Sequence, residues 1–164
     1  MLSDDREAAF RARDWLRYLE SHFGRDRICA FRRVAPNLSD SQYWSLLGTV
    51  LIHVERPGPD MHDLLRSDRP ERSAIMTASE LRIFNDLPAE MTVWRGDTYT
   101  DDPGWSWTLD RNVAEWFARQ RERVYGGQAR LGAATCFKTE AIGYLSRREE
   151  AEILFVLRTL LQCA

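Results

Sequence analysis

Apolar residues recur at helical spacing through the first half of the chain. After Ser3-Asp4-Asp5, the residues Phe10, Trp15, Leu16, Leu19 and Phe23 form one stripe, and Gly24 offers a stop. Residues 26–36 mix Ile28, Ala30 and Phe31 with Arg27, Arg32 and Arg33 and predict no clear element. Ser39-Asp40 opens a second stripe, Tyr43, Trp44, Leu47, Val50, Leu51 and Val54, closed by Pro57-Gly58-Pro59. A short helix over 60–66 follows. A third main helix within 70–87 carries Ile75, Met76, Leu81, Ile83 and Phe84, and Leu87-Pro88 ends it.

Beyond residue 90 the period shortens. Met91-Thr92-Val93-Trp94 reads as a strand running into Arg95-Gly96, and Asp101-Asp102-Pro103-Gly104 is a strong turn signal. Trp105-Ser106-Trp107-Thr108 alternates bulky and hydroxyl residues, as a two-faced strand does. Asp110 is an N-cap for a helix with Val113, Ala114, Trp116 and Phe117 on its stripe. Strands are predicted at 129–137, where Gly132 weakens the pattern, at 141–145, and from Glu150-Ala151-Glu152 into Ile153-Leu154-Phe155-Val156-Leu157. The pattern predicts an α+β fold, with a helical N-terminal region over 1–90 and a β-rich core over 91–164 folded as one unit.

Composition narrows the class. A 164-residue chain with 44% apolar and 29% charged residues suits a soluble globular protein. The net charge of −2 gives no general attraction to nucleic acid or an anionic membrane. Lys138 is the only lysine, and the arginine bias fits either codon usage or phosphate binding. Cys29, Cys136 and Cys163 are odd in number and lack Cys-x-x-Cys spacing, so no disulfide framework is expected. The acidic N-terminus has no apolar leader core, and no apolar run is long enough to span a bilayer, so a cytoplasmic location is expected. His22, His53 and His62 have no ligand spacing, and no metal site is expected. The absence of a Gly-x-Gly-x-x-Gly element removes support for a Rossmann unit.

The chemistry concentrates after residue 90. Arg95 ends a strand beside a residue with no side chain. Ser106 and Thr108 share a strand face, and so do Glu150 and Glu152. Two carboxylates entering a buried apolar strand are costly unless a site uses them. The bland alternative pairs Arg95 with Glu152 structurally and leaves Ser106 and Glu150 at the surface. Arg119, Arg121, Arg123 and Arg130 around Gly126-Gly127 read as a solvated helix end or as a basic lip.

Taken in order, Arg95-Gly96, Ser106-Trp107-Thr108 before an Ala-x-x-Phe-Ala helix, and Glu150-Ala151-Glu152 resemble the Arg–Ser–Glu class of mono-ADP-ribosyltransferases. The resemblance covers residues 91–158. It departs at Trp107, where the family's middle motif usually has a small residue, and in the short stretch after Glu152. It implies N-terminal helices packed on a compact, mostly antiparallel pair of β-sheets, with NAD as substrate in the cleft. It implies transfer of ADP-ribose to a macromolecular acceptor, a protein before a nucleic acid. An NAD glycohydrolase, and an inactive domain that binds a partner or nucleotide, are the alternatives.

The resemblance also assigns roles. Glu152 would stabilise the sugar cation formed as NAD splits, and Ser106 would orient it. Arg95 would bind a phosphate or ribose oxygen, and Gly96 would let the backbone approach the nicotinamide amide. Trp107 or Trp105 would stack on nicotinamide or belong to the core, and Thr108 would share the site face or support the strand. Glu150 would take a proton from the acceptor, pointing to arginine. The loop before it, Arg147-Arg148, is doubly basic and argues against a cationic target.

Overall fold

The computed structural model describes residues 2–53, 59–98, 104–147 and 151–156. The chain divides into two compact units, Met1–Ile75 and Met76–Ala164.

In the first unit, the expected opening helix is two helices, α1 (Leu2–Arg11) and α2 (Trp15–Glu20). The break falls where Arg13 takes a left-handed φ of 55° and Asp14 restarts the helix by accepting the Arg17 N–H. The stripe is therefore split, and Leu16 and Phe23 stay exposed. Gly24 is an entry rather than a stop: α3 (Gly24–Val34) forms over the stretch that predicted no element. Its stripe of Ile28, Phe31 and Val34 is masked in the sequence by Arg27. That side chain is buried, and its Nε donates to the carbonyl oxygens of Leu19 and His22, at 3.1 and 2.8 Å.

A capping box of Ser39 and Gln42 starts α4 (Asp40–Leu51), which buries Tyr43, Trp44, Leu47, Val50 and Leu51 as expected. Val54 and Pro57-Gly58 lie outside the described residues. After α5 (Pro59–Leu65), a 3₁₀ turn at Arg72–Ile75 packs on α4. Edge-on rings centre this core, with Phe31–Tyr43 at 5.1 Å and Tyr43–Trp44 at 5.2 Å. Their polar tips are satisfied: the Tyr43 hydroxyl donates to the Leu64 carbonyl, and the Trp44 indole N–H lies on the Arg69 and Pro70 carbonyls.

The second unit begins before the first strand. Thr77 and Glu80 form a capping box on α6 (Ala78–Asp86), so the helix expected over 70–87 is a 3₁₀ turn in one unit and α6 in the other. The remaining elements are β1 (Glu90–Asp97), β2 (Ser106–Thr108), α7 (Arg111–Tyr125), β3 (Arg130–Phe137), β4 (Gly143–Leu145) and β5 (Glu152–Leu154). All strand pairs are antiparallel, in the order β3-β1-β2-β5-β4. Among the described residues the strands thus make one five-stranded sheet, not the expected pair of sheets. The reason lies in β5, which inserts between β2 and β4 and joins the short strands to the β3-β1 ribbon in one continuous ladder.

Close packing of α7 on β1 orders this unit. A Cβ built on Gly96 would fall on the Ala114 carbonyl and within 2.6 Å of the Ala118 amide nitrogen. Ala114 and Ala118 are both buried, one helical turn apart. Gly96 therefore serves helix–strand contact on its Cβ side, a different reason for glycine from the close ligand approach that the resemblance implied. We expect Gly96→Ala to cost about 1–3 kcal/mol by overpacking. The obstructing atoms are backbone and cannot rotate away. Urea unfolding should show a lowered midpoint for Gly96→Ala and little change for Gly132→Ala, because a Cβ at Gly132 meets only the Arg95 carbonyl oxygen, at 3.7 Å.

Candidate functional site

The three motif strands are neighbours. Register sets Trp94 opposite Thr108, Thr108 opposite Glu152, and Leu145 on the far side of Glu152. Directly opposed residues share a sheet face, so Trp94, Thr108 and Glu152 stand in one row. Glu152 is half-buried at the first position of β5. Thr108, not Ser106, is its direct cross-strand neighbour; Ser106 faces Leu154 and lies diagonal to the carboxylate. The Thr108 side chain is buried, and its hydroxyl oxygen accepts the Asp110 N–H at 3.1 Å, joining β2 to the cap of α7. Glu150 and Arg148 lie outside the described residues.

Arg95 is one position beyond Trp94, so its side chain leaves β1 on the face opposite Glu152. Its guanidinium then closes on β2. Nη1 donates to the Ser106 carbonyl at 2.7 Å, and Nη2 donates to Asp97 Oδ2 at 2.8 Å. Asp97 is shared: the same oxygen accepts from Arg121 Nη1 at 2.6 Å, and Oδ1 accepts the Thr98 N–H. Arg121 also reaches the Gly96 carbonyl at 3.3 Å. The side chains of Arg95 and Asp97 are about a tenth exposed, at 10% and 12%. Gly104, at φ 68°, passes directly against the Arg95 guanidinium, where a Cβ would overlap it. Gly104 is thus the glycine that makes room for Arg95.

The tryptophans take the core alternative. Trp107 is buried, its indole N–H donates to the Phe155 carbonyl at 3.1 Å, and its ring leans on Phe155. Trp105 is equally buried, and its indole N–H has no hydrogen-bond partner among the described residues. The Cys136 thiol is pushed up to about 11 by burial, with the Glu140 charge adding to it, so it stays protonated at neutral pH. No cluster of three His, Cys, Asp or Glu side chains is arranged for a metal among the described residues.

A residue outside the sequence-derived set braces the strand beside Glu152. Glu80 is 1% exposed. Its Oε2 accepts from the Thr77 N–H, the Thr77 hydroxyl and the Arg147 guanidinium, and its Oε1 accepts the Ser146 N–H at 2.9 Å. Ser146 directly follows Leu145, the β4 partner of Glu152. The Thr-x-x-Glu signature of the capping box was visible in the sequence. The bond to a backbone 66 residues away carries no local signal. Asp97 offered a weak one, since Arg-x-Asp in a strand puts both side chains on one face; Arg121 lies on the α7 stripe three residues after Ala118.

Burial alone would raise the Glu80 carboxyl, but the N–H groups of Thr77 and Ser146, the Thr77 hydroxyl and Arg147 outweigh it and hold it below the usual carboxylate range. A lowered folded value stabilises above the unfolded value and is lost as pH falls through the folded one. Urea midpoints should therefore drop on acidification below about pH 4. The drop should be smaller in Glu80→Gln, and Glu80→Ala should cost about 1–3 kcal/mol for each of the Thr77 and Ser146 N–H groups that lose their acceptor. No helix among the described residues is long and apolar enough to cross a membrane. No family model, curated protein or solved structure matches this chain.

Proposed function

We propose that the sheet unit is an ADP-ribosyltransferase-like domain that splits NAD and transfers ADP-ribose to a macromolecular acceptor. The observation that carries this reading is the strand order. Arg95, the Ser106-Trp107-Thr108 strand and Glu152 are dispersed along the sequence, yet their strands β1, β2 and β5 are consecutive in the sheet. In the reaction, the bond from the nicotinamide nitrogen to ribose C1′ breaks with its electron pair leaving on nicotinamide. C1′ bonds to the acceptor, and the acceptor's proton passes to a base. Glu152 stabilises the cationic sugar, as a fixed anion does in glycoside cleavage.

The register refines the supporting roles. Thr108 flanks Glu152 and fixes the β2 end of its row. Arg95 holds the β1–β2 junction through the Ser106 carbonyl and Asp97, a positioning role in place of the phosphate contact that the resemblance implied. Glu150 as the base, and arginine as the acceptor it would deprotonate, rest on the Glu-x-Glu pattern in the sequence. A cytoplasmic location goes with this reading, because NAD is an intracellular substrate.

The test is incubation of the full chain with labelled NAD in a cell lysate. Wild type should label a macromolecule, and Glu152→Gln should lose about 10²–10³-fold in NAD cleavage with an unchanged urea midpoint. Free ADP-ribose as the sole product would assign a glycohydrolase. Neither binding nor cleavage of NAD by the folded wild type, or undiminished turnover in Glu152→Gln, would overturn the proposal.

A further inference from the structure

β5 carries Glu152, and its outer neighbour β4 is an edge strand of three residues. An edge leaves backbone N–H groups without strand partners. Here two alternate amides are taken by side chains from the entry to α6. The Tyr144 N–H donates to Met76 Sδ at 3.3 Å, and the Ser146 N–H donates to Glu80 Oε1 at 2.9 Å.

The capping box of α6 does not by itself call for a carboxylate. In α4 the same N3 position is Gln42, an exposed amide. Glu80 is buried and holds two groups beyond its cap, the Ser146 N–H and the Arg147 guanidinium. A carboxylate so deep is costly unless a cation answers it. Arg147 does so: its Nε and Nη2 both donate to Glu80 Oε2, at 3.3 and 3.2 Å. The first cation of Arg147-Arg148 is therefore cancelled inside this unit. In the sequence that pair argues against a cationic target; in the fold one of its two charges no longer does.

Arg147 is also close to the chemistry. Leu145 pairs with Glu152. A cross-strand Cα separation of about 4.5–5.5 Å and two steps of about 3.8 Å keep the Arg147 Cα within about 13 Å of the Glu152 Cα. Over that distance an uncancelled cation is felt by a charged acceptor, since the Debye length is roughly 8–10 Å at moderate salt. We infer that the Glu80–Arg147 pair sets the acceptor class of the proposed reaction: Glu80 cancels the cation in the turn that leads into Glu152, so a guanidinium acceptor approaches without opposition from Arg147. The inference rests on the reaction proposed at Glu152. Glu80 touches no reacting atom and acts through Arg147.

The experiment follows the full chain with NAD, alone and with agmatine as a guanidinium acceptor. Glu80→Gln releases the Arg147 charge and should raise the KM for agmatine about 3–10-fold, with a smaller change in NAD cleavage without agmatine. Arg147→Gln should lower the same KM by a similar factor, and the double variant should return it to the wild-type value. Both shifts should shrink in about 1 M salt, where the Debye length is about 3 Å. A purely structural brace would instead lower cleavage and transfer together in both single variants, with no reversal of sign. That result, or an agmatine KM indifferent to Arg147→Gln, would overturn the inference while NAD cleavage stands. The Arg147→Gln arm decides even if Glu80→Gln does not fold. A wild type that cleaves NAD but modifies only uncharged or anionic acceptors would also overturn it. A folded wild type that leaves NAD intact would overturn the reaction itself, and this inference with it.

Discussion

The distance between α7 and β1 governs the sheet unit. Because residue 96 has no side chain, the backbone at Ala114 and Ala118 occupies the space a Cβ would take. That approach carries Arg121 to the end of β1, where it binds the Gly96 carbonyl and Asp97. Asp97 in turn holds Arg95, and Arg95 holds the Ser106 carbonyl. A relay of short polar contacts therefore runs from the helix through β1 to the strand that flanks Glu152. Each member is positioned by the one before it, and the first is positioned by a missing methyl group.

Arginine does similar work in both units. Arg6 donates to the Ser21 carbonyl, Arg27 to those of Leu19 and His22, and Arg69 to those of Ala35 and Leu38. Arg95 and Arg121 repeat the pattern at Ser106 and Gly96. A planar fork with several donors can satisfy more than one backbone acceptor at an element's end, which suits a chain of short helices and three-residue strands. The arginine bias thus has a structural use apart from phosphate or codon preference. Arg69 also lies 4.8 Å from the Tyr43 ring centre, so the same side chain packs and caps.

Legibility in the sequence followed how local each cause was. α4 and α7 were readable because a cap and a clean period coincide, and β1 because buried Met91 and Val93 alternate with exposed Glu90 and Thr92. α3 was not, because Arg27 looks polar in sequence while its stem and head are buried on carbonyls. The break between α1 and α2 was hidden because Arg13 adopts a positive φ without a glycine to announce it. The motif residues Arg95, Ser106, Thr108 and Glu152 stood out by type and order, and the sheet brings their strands side by side. The lateral details did not: Thr108 rather than Ser106 opposite Glu152, Asp97 between two arginines, and Glu80 on Ser146 are long-range pairings that no window contains.

Strand order also dictates an order of assembly during synthesis. β3, β1, β2 and α7 can associate as soon as residue 137 has emerged, since each already has a neighbour. β4 has none, because its sole partner among the described strands is β5, which is made later and must enter between β4 and β2. Without β5, β2 has an open flank, and the contacts left to β4 include those of α6, where Glu80 binds Ser146 and Arg147 just beyond its end. The hold on β4 from α6 lies outside the sheet, and the carboxylate of Glu152 belongs to the strand that closes the ladder between β2 and β4.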